Sequence, residues 1–168
     1  MSEALANLLA AAAQLVEDTV SGRLERDLAR TASAPAALVT LAREPGLSID
    51  ALRRVLDLTH SGAVRLIDRL EADGLVERTR RGGRSVALML TRRGRKAVAE
   101  IERVRLESVA ELLAPLTVSE RRQLERVLRH VLASRTRSLD DLHRICRLCS
   151  FPACERKGRS CPVADAIG

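Results

Sequence analysis

The hydrophobic pattern of this chain changes period once, and that change limits the folds open to it. From His60 to Ala72, the residues Ala63, Leu66, Ile67 and Leu70 recur at i, i+3, i+4 and i+7, one face of a helix. Asp73-Gly74 stops that helix, because glycine accepts the left-handed backbone that a C-terminal cap requires. Leu75-Val76-Glu77-Arg78 and Ser85 to Leu90 then read as two short strands around Arg80-Arg81-Gly82-Gly83, a hairpin with a glycine-bearing loop. Elsewhere the spacing is helical. The expected fold class is mainly α with a small β-wing.

The flanking segments fit that frame. Leu5, Leu8, Leu9, Ala12, Leu15, Val16, Thr19 and Val20 line one face of a first helix. Ser33 is expected to cap a short helix carrying Leu38, Val39 and Leu41, which Pro45-Gly46 ends. Ser48 begins the next, with Asp50 in its first turn and Ile49, Leu52, Val55 and Leu56 inward; Leu58-Thr59 breaks it from the helix at His60. Thr91 opens a long helix with Val98, Ile101, Val104, Val109, Leu112 and Leu113, stopped by Pro115. Thr117 and Glu120 form a capping box before Leu124, Val127, Leu128, Val131 and Leu132. The stretch from Ser134 to Ser138 reads as a junction.

A chain of 168 residues suits one domain with a small appendage. No apolar run approaches the ~20 residues of a membrane span. The Ala/Leu-rich stretch Leu5 to Val16 follows Glu3 and no basic residue, so an amphipathic helix is expected there, not a signal peptide, and the expected location is cytoplasmic. Phe151 is the sole aromatic residue, which removes base stacking as a route to single-stranded nucleic acid.

Charge then points to a partner. Between Arg78 and Lys96 lie eight basic residues (Arg78, Arg80, Arg81, Arg84, Arg92, Arg93, Arg95, Lys96) and no acidic one, against a net +7 for the whole chain. A solvated face would mix signs, so a polyanion contact is expected. On the preceding helix His60, Ser61, Gly62, Val64, Arg65, Asp68 and Arg69 are left facing outward. Small groups at its start permit close approach to a major groove, Thr59 and Ser61 can reach phosphates, and Arg65 can offer a fork to guanine. The candidate DNA contacts are Thr59, His60, Ser61, Gly62, Val64, Arg65, Arg69, Arg78, Arg80, Arg81 and Arg84. Helix, turn, helix and basic hairpin describe a winged helix-turn-helix.

The stretch from Leu58 to Arg78 resembles the recognition helix and "LExxGLVxR" wing entry of the MarR family of bacterial transcriptional regulators, and Leu90-Thr91-Arg92-Arg93-Gly94 is similar to that family's "LTxxG" wing exit. The resemblance covers roughly Leu5 to Val131. It implies a homodimer held by the first helix and the last two, with a small-molecule pocket between dimer arms and winged domain. The chain departs from the family pattern at Gly82, where an Asp is usual in the wing, although Arg84 matches the basic position after it. A dimer also has a physical argument: the terminal helices carry apolar faces too large for one small winged domain to cover, and a C₂ dimer buries them reciprocally. Two recognition helices ~34 Å apart would read a pseudo-palindromic operator.

All four cysteines (Cys146, Cys149, Cys154, Cys161) fall after residue 145, spaced C-x2-C-x4-C-x6-C. A disulfide framework would spread across the fold, so a metal or redox site is expected. One structural zinc per chain on four thiolates is the leading expectation. An iron–sulfur cluster, for which Pro162 directly after the last Cys is a supporting sign, and metal-free thiols remain open. His143 reads as a surface residue or one behind the ligands, and His130 as an ordinary helix residue.

The expected organisation is a dimerisation helix over 1–31, a winged helix-turn-helix over 32–96, further dimerisation helices over 97–137 and a four-cysteine extension over 138–168. The expected function is a sequence-specific double-stranded DNA-binding regulator, a repressor, with a zinc or sensor tail. An iron–sulfur or thiol redox-responsive regulator and a protein-binding adaptor using the basic wing are the alternatives. No catalytic constellation stands out; a thiol oxidoreductase using Cys146 and Cys149 lacks the βαβ setting such a pair normally has.

Overall fold

Most helices of this chain begin where a side-chain oxygen can satisfy a free backbone N–H. The computed structural model describes residues 2–28, 33–81, 85–150, 154 and 161–167, the side chains of residues 27, 28, 81 and 85 excepted. The element order is α1 (Glu3–Leu28), α2 (Ser33–Arg43), α3 (Ile49–Leu56), α4 (His60–Ala72), β1 (Val76–Arg81), β2 (Ser85–Leu90), α5 (Arg92–Leu112), α6 (Val118–Arg135), α7 (Leu139–Ile145) and a final 3₁₀ turn, Asp165–Ile167. Ser48, Thr59, Thr91, Thr117 and Ser138 are N-caps whose side chains accept from the backbone N–H of Ala51, Gly62, Gly94, Glu120 and Asp141. Ser33, expected as a cap, is instead the first residue of α2.

Helix α7 was not expected. The junction ends at Ser138, where Asp141 accepts from the Arg137 N–H at 2.9 Å and Ser138 Oγ accepts from the Asp141 N–H at 3.2 Å. This short Ser-x-x-Asp box starts a helix that carries the chain into Cys146.

The core of the winged unit gathers Leu38 and Leu41 from α2, Leu52 from α3, Ile67 and Leu70 from α4, Leu75 and Leu88 from the wing, and Ile101 and Val104 from α5, all essentially buried. The strands pair antiparallel from Val76↔Leu90 to Arg81↔Ser85. Leu88 also serves the α2–α3 connection: Gly46 N–H donates to Leu88 O and Leu88 N–H to Leu47 O, each at 2.9 Å. The wing base is therefore tied to the start of the helix-turn-helix.

Helix α5 docks its first turn on the wing entry. Thr91 N–H donates to Leu75 O at 3.0 Å and Thr91 Oγ1 to Gly74 O at 2.7 Å. Gly94 makes this approach possible, since a Cβ there would stand 2.1 Å from Leu75 O. The "LTxxG" pattern thus has a packing cause: Thr caps and clamps, and Gly clears room for a backbone carbonyl.

Helix α1 lies along α5, placing Val20 and Leu24 in the core, with Arg23 Nη1 2.7 Å from Glu111 Oε1. Its first half leaves Leu5, Leu8, Leu9 and Leu15 more than half exposed. Helix α6 buries no residue, and Val127, Leu128, Val131 and Leu132 face solvent. Among the described residues no helix is long and apolar enough to cross a membrane.

Candidate nucleic-acid interface

Helix α4 turns Ala63, Leu66, Ile67 and Leu70 into the core, which fixes its opposite face. His60, Ser61, Arg65 and Arg69 are exposed, and Gly62 and Val64 are partly so. Arg65 has no side-chain hydrogen bond or ion pair among the described residues, and Arg69 Nε reaches only Arg65 O, at 3.5 Å. These two cations of α4 are therefore not spent on internal carboxylates. The Thr59 hydroxyl is committed to the cap, accepting from Gly62 N–H at 3.1 Å, with Ser61 Oγ 3.4 Å away. Its first task is to start the helix.

Arg78 is half-buried against α4. Its Nη2 donates to Asp68 Oδ1 at 2.6 Å, its Nη1 to Glu71 Oε2, and its backbone N–H to Glu71 Oε1 at 3.3 Å. The hydrogen bond to Asp68, and then the Glu71 charge, raise its affinity for its proton against partial desolvation, so it is a fixed cation. Arg78 is a brace from β1 to α4, a role its place among the expected DNA contacts did not include. The signal lay in Asp68 and Glu71, an i,i+3 acidic pair on the outward face of α4, one turn before the strand begins.

On the wing, Arg80 is exposed and has no partner among the described residues. The side chain of Arg81 and the whole of Arg84, like Gly82 and Gly83, lie outside the described residues. Beside the wing, the first turn of α5 has Arg92 and Arg93 exposed and carries no acidic residue. Cations at the positive end of a helix dipole are unfavourable by themselves, which marks these two for an anionic partner and adds them to the candidate face.

A second cluster forms in the tail. Cys146 and Cys161 are buried with Leu142 and Val163, and Cys149 packs against them. Cys149 Sγ lies 3.6 Å from Cys154 Sγ, far beyond a disulfide bond, and all four thiols are free. A hydrogen bond from the Cys149 thiol, the largest influence, holds Cys146 below the ordinary thiol range. The same bond and burial push Cys149 up, and burial first of all pushes Cys154 up to about 11. Among the described residues no three His, Cys, Asp or Glu side chains stand in a preformed metal-binding arrangement. The thiols are gathered but not drawn into a closed site. His143 points to Glu44 Oε1, 2.9 Å away, and His130 is exposed.

Comparison with known proteins matches the winged unit. A family model described as MarR family matches residues 28–85. A MarR family protein of Mycobacterium tuberculosis, solved with p-aminosalicylic acid, is 31% identical with a TM-score of 0.63, over 76% of this chain and 97% of that one. The same protein solved in complex with DNA aligns with a TM-score of 0.65 at 29% identity, over 76% and 96% of the two chains. Wild-type MarR from Escherichia coli, in its apo form, gives 26% identity and a TM-score of 0.66 over 76% and 96%. No curated protein matches.

Proposed function

The chain belongs to the MarR family of transcriptional regulators, and from that premise we propose that it is a homodimeric repressor that reads a pseudo-palindromic DNA operator. Proteins of this family are transcription regulators, not enzymes. One observation carries the DNA reading: Arg65 stands exposed on α4, beside small residues and without a side-chain partner among the described residues, while the Arg78 brace holds that helix against a wing rich in arginine. An outward guanidinium on a rigid element can fork onto guanine, and the wing cations neutralise phosphates without reading sequence. The solved DNA complex of the Mycobacterium tuberculosis relative supports this assignment.

The homodimer rests on exposed apolar surface. Leu5, Leu8 and Leu9 of α1 are 62%, 66% and 59% exposed, and Val127 of α6 is 54% exposed. A lone chain would leave this surface in water at a cost of about 25 cal/mol per Å². A candidate place for a small-molecule effector is a cavity of about 570 Å³ between α1, α2, α3 and the cysteine turn, lined by Leu24 and Val55 together with the charged Glu25, Asp57, Arg144 and Arg147. Such a volume suits a small organic ligand, and the relative bound to p-aminosalicylic acid is consistent with one.

For the tail, the donor set fits one zinc held by Cys146, Cys149, Cys154 and Cys161. A tetrahedron with Zn–S arms of ~2.3 Å has S···S edges of ~3.8 Å, and Cys149 and Cys154 already stand 3.6 Å apart. When bound, the ion would offset half of the charge of four thiolates and cross-link the loops that carry them.

Gel shift of operator-bearing duplex at rising salt tests the DNA reading. The log of the affinity should fall linearly with log salt, by about 0.9 per phosphate contacted. Salt-insensitive binding, or none at low salt, rejects it. Metal analysis of an anaerobic preparation tests the tail: a colourless protein with one zinc per chain supports zinc, and visible absorbance with iron replaces it by a cluster.

A further inference from the structure

The cysteine segment is built into the rest of the molecule on two sides. Helix α7 lies against α3, and the final 3₁₀ turn lies against α6. Leu148, inside the C-x2-C turn, leaves the thiol cluster and packs on the core of the winged unit. Two polar contacts then pin the turn to the end of α2: Arg43 Nη1 donates to Cys146 O at 2.7 Å, and His143 Nε2 lies 2.9 Å from Glu44 Oε1. Cys146 O also accepts from Cys149 N–H at 2.8 Å, so Arg43 holds the very carbonyl that shapes the turn. Two residues beyond Glu44, Gly46 donates to Leu88 of the wing. An unbroken path of contacts therefore runs from the thiols to the wing, and a second runs through α3 to the α4 that packs on it.

We propose that the four-cysteine segment is a metal-controlled strut between α6 and the winged unit, and that loading it raises the affinity for DNA. This rests on the metal reading of the four thiols. Among the described residues the buried cluster of the segment comprises Leu142, Cys146, Cys161 and Val163, a small set in which two of the four members are thiols. Metal binding to such a module is folding free energy, so the loaded segment is the ordered one. An ordered strut keeps Arg43, Glu44 and α3 in place before DNA arrives, which removes part of the ordering cost of binding. Coupling of this kind is reciprocal: DNA must tighten metal binding by the same factor.

The test uses the full chain, stripped of metal under reducing conditions and then titrated with zinc(II) alone, with cobalt(II) as a coloured stand-in. Operator affinity is measured in both states. Loading should tighten DNA binding by about 5- to 150-fold, and chelation should reverse it. His143→Gln and Arg43→Lys should still take up one cobalt ion with thiolate-to-metal absorption, yet show a much smaller gain; their thermal melts establish that both remain folded. Uptake of metal with an unchanged or weakened DNA affinity overturns the strut and leaves the metal reading standing. Undiminished gain in both folded variants overturns the path through Arg43 and His143. Failure to bind either ion, or iron, rejects the metal reading and the strut with it.

Discussion

Replacing Gly94 by Ala sets two effects of opposite sign against each other. In a free helix the substitution stabilises by up to about 1 kcal/mol. Here the new Cβ would sit 2.1 Å from Leu75 O, 3.1 Å from Leu75 C and 3.2 Å from a Leu90 methyl carbon. A carbon needs at least 3.0 Å, so α5 and the wing entry must separate by about 0.9 Å. Neither side is a flexible side-chain end; both are backbone. Overpacking of this sort costs about 1–3 kcal/mol. The separation also stretches Thr91 N–H to Leu75 O and Thr91 Oγ1 to Gly74 O, now 3.0 and 2.7 Å. Each such bond contributes about 1 kcal/mol. The net expectation is a loss of roughly 2–4 kcal/mol. Urea unfolding at fixed protomer concentration should show a lower midpoint with the slope unchanged. A midpoint equal to or above that of the parent would refute the claim that this carbonyl contact dictates glycine.

Four further outcomes are expected. Arg65→Ala should relax discrimination at one base pair of each half-site by about 1–3 kcal/mol, measured by competition with single-site operator variants, whereas Arg80→Ala should weaken all sequences alike. Arg78→Ala should remove the β1–α4 brace and lower stability by about 1 kcal/mol, because Asp68 and Glu71 are partly exposed and water screens the pair; loss of affinity without loss of specificity or melting temperature would contradict the brace. Glu120, Asp50 and Asp141 are each held below their ordinary carboxylate values, by the Thr117 hydroxyl, by Arg53 and by the Arg137 N–H respectively. Their stabilisation is present above the unfolded values of 4.5 and 3.8 and fades as pH falls through the lowered folded ones, so the melting temperature should drop on the acid side of about 4.5, and Glu120→Gln should shrink that drop. Truncation of Leu8 and Leu9 to Ala should weaken the dimer, read as a larger monomer fraction by sedimentation at low concentration.

How much was legible before the fold was known depended on how far each cause reaches along the chain. The bounds of α4, at His60 and Ala72, came out as expected, since a Thr cap, an inward apolar set and Asp73-Gly74 all act within one helix length. The capping box at Thr117 and Glu120 is of the same kind. The brace at Arg78 is not legible in the sequence, because a run of like charges says nothing about what lies across from it. Gly74, at φ +66°, turns β1 back along α4 and brings Arg78 onto Asp68 and Glu71. Helix α7 is hard to read from sequence because it is short: Leu139, Leu142 and Ile145 recur over only seven residues, and Ser138 with Asp141 is its remaining local signal.

The sequence by itself therefore determined the order of the elements up to α6, the helix starts at Thr59, Thr91 and Thr117, the basic wing and the grouping of four cysteines near the end of the chain. Those follow from periodicity, capping and charge, which are properties of neighbours. Tertiary structure decided which cations are spent and which are free, why position 94 must be glycine, and where the cysteine turn docks. Arg43 and Cys146 lie 103 residues apart, and no local rule joins them. Their contact exists only because α2, α3 and α7 pack on one another, and packing is settled by the whole set of buried faces at once.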